Sequence, residues 1–398
     1  MTRNIGIITT WFERGAAYVS KAYFDTLSLK HNVFIYARGG EKFAINDPRW
    51  DKPYVTWGKV VSKGISTYID WEDFSKWIEK NKIDILIFNE QNSWDVILRA
   101  KSLGIPLGAY IDYYTQKTVP FFWLYDFLLC NTQRHYGVFR DHPQVFYIPW
   151  GTNTSLYSVS SGILPHKSVT FFHSCGMSPY RKGTDILVEA FQKVKGNAEL
   201  VIHSQVPLDR KSSLYDKIEC CSQIRLIEQE IGAPGLYYMG DIYVYPSRLD
   251  GIGLSIAEAL ASGLPVITTD EPPMSEFIPT DSVGKLVPVE RYQMRSDGYY
   301  WPMAFCDIGA LSNAMQFYVD NVHLLGEHQR QARLHAEQSL DWENNSQVLN
   351  DLIENVDKLY LNNQALVKEV ERYEMYTFYR SEVLRIAKKI LNIFSGLR

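Results

Sequence analysis

A single rhythm constrains this chain most: short apolar runs alternate with amphipathic segments, and the pattern occurs twice. In the first half the runs are Ile5–Thr9, Val33–Ala37, Ile83–Phe88, Pro106–Ile111, Phe127–Cys130 and Val145–Ile148. The third, IDILIF, reads as a strand buried on both faces. A loop containing Gly15 and a helix through Leu29 follow the first run. Strand-helix-strand alternation predicts a parallel sheet with crossover helices. Around Trp150–Lys167 the pattern lapses into TNTSLYSVSSGILPHK, rich in Ser, Thr, Gly and Pro and without helical period, which reads as an interdomain linker. The alternation then restarts, with strands at Ser168–His173, Leu200–His203, Ile224–Ile227, Ile242–Tyr245 and Pro265–Thr269 and helices at Thr184–Lys195 and Leu254–Ala261. The expectation is an α/β protein of two doubly wound parallel-sheet domains. Their boundaries are 1–150, a linker at 151–166, 167–354, and a helical extension at 355–398. A length of 398 residues suits two such domains.

Charge and cysteine usage remove several classes. Lys plus Arg is 41 against 45 for Asp plus Glu, a net charge of −4. A chain-wide polyanion-binding surface is not expected, and with it no nucleic-acid partner, while a local basic patch stays open. The five cysteines, Cys130, Cys175, Cys220, Cys221 and Cys306, form no CxxC pair and are odd in number, so neither a disulfide framework nor a thiolate metal site is predicted. The opening MTRNIGIITTWFERG is broken too soon by Glu13 and Arg14 to read as a signal peptide. No window approaches the roughly 18 uninterrupted apolar residues of a membrane span. A cytoplasmic location follows as an expectation.

From Leu311 to Arg398 there is no proline, and helices are expected nearly throughout. Near the end Val383, Leu384, Ala387, Ile390, Leu391 and Phe394 recur at helical spacing, with Arg385, Lys388 and Lys389 off that stripe. Two readings stay open: packing on the first domain or a partner helix, or attachment to an anionic membrane surface.

Two segments carry chemistry. In Tyr245–Asp270, YPSRLDGIGLSIAEALASGLPVITTD, a strand ends, a turn holds Gly251 and Gly253, and a helix begins near Leu254. Glycines there let a ligand approach the backbone, and the helix N-terminus favours an anion such as a diphosphate. Asp250 and Glu258, eight positions apart, flank the turn. Carboxylates repel phosphate but accept hydrogen bonds from sugar or ribose hydroxyls. In Phe171–Phe191, FFHSCGMSPYRKGTDILVEAF, a strand runs into Gly176 and a loop ends at Arg181-Lys182-Gly183 before a helix. Taken singly, one is an ordinary strand-helix turn and the other a solvated cation pair. Both, however, belong on the carboxyl edge of one parallel sheet, where open α/β folds bind ligands.

The combination resembles the retaining, metal-independent nucleotide-sugar glycosyltransferases of the GT-B fold, the group marked by E-x(7)-E. That group commonly reads P-S-x-x-E-G-F-G-L-x-x-x-E-A-x-A-x-G-x-P-V; here the stretch is PSRLDGIGLSIAEALASGLPV. Asp250 stands where the first Glu is usual. Gly176 and Lys182-Gly183 match a second element, with Met177 where an Arg is usual and Arg181 on the other side of the loop. Glu276 and GKLVP (Gly284–Pro288) resemble a later strand, with Pro272-Pro273 in place of Gly-Gly, and IPWGTN (Ile148–Asn153) resembles the group's domain junction.

The resemblance implies two Rossmann-like domains facing across a cleft, with a helical C-terminus. It implies that the second domain binds a UDP- or GDP-sugar and the first an acceptor, a glycan or lipid-linked glycan of cell-surface polysaccharide or glycolipid synthesis. Arg181, Lys182 and the helix N-terminus after Gly253 would stabilise the departing diphosphate, with neither metal nor cofactor. Asp250 would lie near the transferred sugar, and Glu258 would accept from the ribose. Gly176, Gly251, Gly253 and Leu254 would line the donor site, with His203 and Ser204 at the base. Gly15 and Asp112 would face the donor from the first domain, and Asn89-Glu90-Gln91 is a candidate acceptor contact. His135, His142 and His173 read as structural. The rival readings are a non-catalytic scaffold of the same fold and another GT-B enzyme such as a sugar-nucleotide epimerase. A dinucleotide dehydrogenase is disfavoured, because TTWFERGAAY after the first strand lacks G-x-G-x-x-G.

Overall fold

The structure, a computed structural model, describes residues 2–40, 42–61, 67–158, 168–359 and 364–377. The chain forms two units. One holds Met1–Cys130, His135–Tyr147 and the chain from Gln347 on; the other holds Asn131–Arg134 and Ile148–Ser346.

The first unit is built on seven parallel strands: β1 (Asn4–Thr9), β2 (Asn32–Ala37), β3 (Val55–Trp57), β4 (Ile85–Asn89), β5 (Leu107–Tyr110), β6 (Phe127–Cys130) and β7 (Val145–Tyr147). Their order is β3-β2-β1-β4-β5-β6-β7, so the winding reverses beside β1. Ile5 of β1 aligns with Val33 on one side and Ile85 on the other. β4 is buried along its whole length, as an apolar strand covered on both faces must be. Asp84, just before it, accepts the Asn4 backbone N–H at 2.8 Å, which puts this carboxylate at the sheet rim and starts the strand at Ile85.

The second unit repeats the plan with β8 (Val169–Gly176), β9 (Ala198–Ser204), β10 (Ile224–Glu228), β11 (Ile242–Tyr245), β12 (Val266–Thr269) and β13 (Gly284–Val287), in the order β10-β9-β8-β11-β12-β13. Its core joins Phe171, Leu200, Ile202, Val244 and Ile267 of the strands to Leu187 and Met315 of the flanking helices. The helix Leu254–Ala261 and strand β11 match the sequence reading residue for residue. The helix predicted over Thr184–Lys195 ends at Phe191. A two-stranded antiparallel ribbon, β14 (Val289–Gln293) with β15 (Met303–Cys306), was not anticipated.

The described C-terminal residues are largely helical: Ile308–Asp320, Val322–Ser339, Trp342–Asn345, Val348–Asn355 and residues 364–377. The sequence reading ends the second domain at 354, but the chain rejoins the first unit at Gln347. The reason is local packing. Leu349 and Ile353 are fully buried, and Asn350 donates to the Thr26 carbonyl at 3.2 Å. Gln144 then brackets Asp357, donating to its carbonyl at 2.7 Å and accepting its N–H at 2.9 Å. Asp126, fully buried, accepts the N–H groups of Leu107 at 2.8 Å and Leu359 at 2.7 Å. The stripe Val383–Phe394 lies outside the described residues, as does the linker after 158; before that point Thr152 bridges to Asp341.

Candidate active site

The winding of the second sheet reverses between β8 and β11, and open α/β sheets bind ligands at the carboxyl ends beside such a reversal. Both chemistry-bearing segments emerge there. Gly176 ends β8, and the loop from it reaches Arg181, Lys182 and Gly183. Pro246 follows β11, and the loop from it reaches Asp250 and Gly253.

Hydrogen bonds onto backbone carbonyls stitch the two loops together. The Arg248 N–H donates to the Arg181 carbonyl at 2.8 Å, and the Arg181 guanidinium returns to the Leu249 carbonyl at 2.8 Å. Gly183 makes that approach feasible: its φ is +74°, and a Cβ there would lie 2.1 Å from the Pro246 carbonyl oxygen. Arg248, which the sequence reading passed over, is buried and forked onto Asp185 at 2.8 and 2.7 Å. Its guanidinium lies 4.1 Å from the Tyr180 ring centroid and 4.5 Å from that of Phe305. Phe305 belongs to β15, and the neighbouring Ala304 N–H donates to the Arg248 carbonyl at 2.7 Å, so the unanticipated ribbon buttresses the loop.

Inside this frame Lys182, Tyr245 and Asp250 form one cluster. The Lys182 ammonium lies 2.5 Å from Asp250 Oδ2, and the Tyr245 hydroxyl meets both the ammonium and that same oxygen. Oδ1 accepts the Gly251 N–H at 2.9 Å and has the Arg181 guanidinium 3.9 Å away. Burial pulls the Lys182 ammonium down to about 8, with Asp250 opposing the shift. Burial also works against the Asp250 carboxylate, yet Lys182 and Arg181 outweigh it and hold that group well below the usual carboxylate range. Asp250 is therefore ionised at neutral pH. Burial and the Asp250 charge push the Tyr245 phenol well above its usual range, so it remains a hydrogen-bond donor.

Glu258 sits on the second turn of the helix Leu254–Ala261 and accepts from the Tyr237 hydroxyl at 2.6 Å. Burial raises its carboxyl, while hydrogen bonds from Tyr237 and Tyr157 oppose the rise. Tyr157, Tyr237, Tyr243 and Tyr245 form an aromatic run with centroid separations of 5.9, 5.6 and 5.5 Å. Gly253, with φ +99°, opens the helix without a side-chain cap, and Leu254 is its first residue. The fold thus gathers Gly176, Arg181, Lys182, Asp250, Gly251, Gly253 and Leu254 at one edge, with Glu258 on the adjoining helix.

The remaining candidates sit as follows. His203, assigned to the base pocket, is buried with both ring nitrogens engaged inside the unit, by Ser174 Oγ at 3.2 Å and the Gln229 carbonyl at 2.9 Å. His173 bridges the Val244 carbonyl at 2.8 Å and Thr184 Oγ1 at 2.9 Å, and burial lowers it to about 4, so it is a neutral structural pin. In the first unit, Gly15 begins the helix Gly15–Leu27, and Asp112 follows β5 in a half-buried position. The amide N–H groups of Asn89 and Gln91 are used internally: Asn89 donates to the Ala16 carbonyl and Ser20 Oγ, and Gln91 to the Thr67 and Ser93 carbonyls. Buried Arg38 donates to the Asn89 and Glu90 carbonyls, Glu90 has φ +51°, and its carboxylate pairs with the Arg14 guanidinium at 3.4 Å. Among the described residues, no three His, Cys, Asp or Glu side chains gather as metal ligands would.

Comparison with known proteins bears on this geometry. Residues 168–294 match the family described as Glycosyl transferases group 1, the segment that holds both loops, the cluster and Glu258. This segment is thus similar to the group 1 glycosyltransferase domain. A curated relative, the lipopolysaccharide core biosynthesis mannosyltransferase LpsB of Rhizobium meliloti (strain 1021), is 27% identical over 126 residues, 29% of this chain and 35% of LpsB. The match thus spans about a third of that relative's length. Among solved structures, Anabaena Alr3699/HepE in complex with UDP and glucose superposes with a TM-score of 0.69 at 13% identity, covering 89% of this chain and 100% of that one. WaaG, a glycosyltransferase involved in lipopolysaccharide biosynthesis, gives 0.64 at 15% identity, covering 87% and 99%. The architecture of two parallel sheets with a helical C-terminus is GT-B.

Proposed function

We propose that the chain is a retaining, metal-independent hexosyltransferase that moves a sugar from a UDP- or GDP-sugar to a glycan or lipid-linked glycan of the cell surface. The observation that carries this reading is the convergence of Arg181, Lys182 and the uncapped helix start at Gly253 on one edge of the group 1 domain. Charge-assisted donors and a helix N-terminus together suit a diphosphate. The UDP complex of HepE and the lipopolysaccharide roles printed for LpsB and WaaG support donor and acceptor class.

In this mechanism Lys182, Arg181 and the helix dipole take up the charge that develops on the leaving diphosphate, which is where such sites gain most. Glu258, braced by Tyr237, keeps lone pairs for the ribose hydroxyls, since a carboxylate offers about four acceptor positions. Asp250 faces the transferred sugar. The bond from the sugar's anomeric carbon to the diphosphate breaks, a bond from that carbon to the acceptor oxygen forms on the same face, and the acceptor proton passes to the departing phosphate. Gly15 and Asp112 are assigned to the donor's other side, and the Val383–Phe394 stripe to an anionic membrane surface bearing a lipid-linked acceptor. No helix among the described residues is long and apolar enough to cross a membrane.

A thermal-shift panel of UDP, GDP, their sugars and NAD tests the reading. Ligand at about 100 times its dissociation constant stabilises the native state by about 2.7 kcal/mol. A shift with one nucleoside diphosphate, and turnover of its sugar that survives EDTA, is expected. A protein that ignores every nucleotide is the non-catalytic scaffold instead, a reading to which the internal pairing of Lys182 with Asp250 lends some weight.

A further inference from the structure

Lys182 is the residue assigned to the diphosphate, yet its ammonium is already paired with Asp250. An ammonium has three donors, but a carboxylate and a phosphate sharing one ammonium repel each other across a few ångströms. The carboxylate must therefore yield when the diphosphate arrives. Both side chains are largely buried, 13% and 14% exposed, so Asp250 cannot fall back on bulk water. A buried carboxylate stripped of its partner is costly unless other donors satisfy it.

Two donors remain on Asp250 when Lys182 leaves: the Gly251 N–H on Oδ1 and the Tyr245 hydroxyl on Oδ2, the oxygen that Lys182 would vacate. Tyr245 cannot swing away. It is the last residue of β11, fully buried, its ring 5.5 Å from Tyr243 at an interplanar angle of 23°.

Resting on the transferase reading, we infer that Tyr245 is a positioning residue in a handover: its hydroxyl keeps Asp250 hydrogen-bonded while Lys182 is released to the donor diphosphate, leaving the carboxylate aimed at the transferred sugar. The empty site is thus self-neutralised, and the aspartate competes with the diphosphate for the lysine.

A double-mutant cycle with Tyr245→Phe and Asp250→Asn, read as UDP (or GDP) affinity by calorimetry, tests this. Asp250→Asn removes the competitor and should tighten diphosphate binding while abolishing transfer. Tyr245→Phe leaves Asp250 dependent on Lys182 and should weaken binding about two- to tenfold, the range of one hydrogen bond. In the Asp250→Asn background Tyr245→Phe should change nothing. An equal loss in both backgrounds means that Tyr245 only packs, and no loss in either means that it is idle; both overturn the handover, as does weaker diphosphate binding by Asp250→Asn. Unfolding midpoints of all four proteins exclude a folding defect, with Asp250→Ser in reserve if the asparagine variant does not fold. Wild-type protein that binds no nucleoside diphosphate would instead sink the transferase reading.

Discussion

At the scale of single residues, Lys182 makes the sharpest prediction. Burial lowers its ammonium to about 8, so below that pH it is charged and available, and as pH rises through and beyond about 8 it is lost. Nucleoside diphosphate affinity should be full near pH 7 and fall towards pH 9, by at most about tenfold per unit for one proton. Lys182→Arg, whose guanidinium stays charged, should flatten the profile. A flat wild-type profile between those values would show that Lys182 does not touch the phosphates. Arg181→Ala should weaken the diphosphate about ten- to hundredfold, the equivalent of roughly 1.5–3 kcal/mol for a charge-assisted hydrogen bond. The free nucleoside should bind as before, and equal losses for both ligands would misplace Arg181. Residues of this kind were legible because charge and glycine stand out in a loop. Tyr245, Tyr237 and Arg248 were not. A tyrosine ending an apolar strand reads as core, and only the folded chain shows that its hydroxyl lands on a carboxylate five positions later. His203 also has partners that no local pattern shows, since both its ring nitrogens are engaged inside the unit.

At the scale of elements, the strand-turn-helix from Ile242 to Ala261 could be read to the residue because three signals agree there: an apolar run, glycines and an alanine-rich helix. The ribbon β14–β15 escaped because four of the five β14 residues are exposed, leaving no alternation to detect. Its role as a buttress for Arg248 is long-range and has no local signature. The stitched loops also make a prediction. Gly183→Ala would need a side chain at φ +74° and 2.1 Å from a backbone oxygen, so the two loops must part. Strain of this kind costs on the order of 1–3 kcal/mol before the collision is counted. Chemical denaturation should show that loss together with weaker diphosphate binding, whereas a variant as stable as wild type would mean that the loops do not meet as described.

At the scale of the whole molecule, the two-domain plan followed from the doubled rhythm, but the point where the chain recrosses did not. Val348–Asn355 looks like one more helix of the second half, and only Asn350 on Thr26 and the burial of Leu349 and Ile353 assign it to the first. Beyond it, the proposed membrane contact predicts that a chain ending at Glu382 keeps nucleotide binding but no longer co-sediments with anionic liposomes. Each basic residue near such a surface contributes about 1 kcal/mol, so added salt should also release the full-length protein. Indifference to liposomes at low salt would assign the stripe to packing.

That recrossing also sets an order of assembly on the ribosome. Residues 1–147 emerge first, yet the helix whose Asn350 reaches Thr26 is translated only after the whole of Ile148–Ser346. Domains generally complete themselves as they are made, N-terminal first. Here the leading sheet has to wait for Val348–Asn355 until the stretch Ile148–Ser346 has been made. A chain ending at residue 346 would hold the whole second unit but leave the first without the helix that carries buried Leu349 and Ile353.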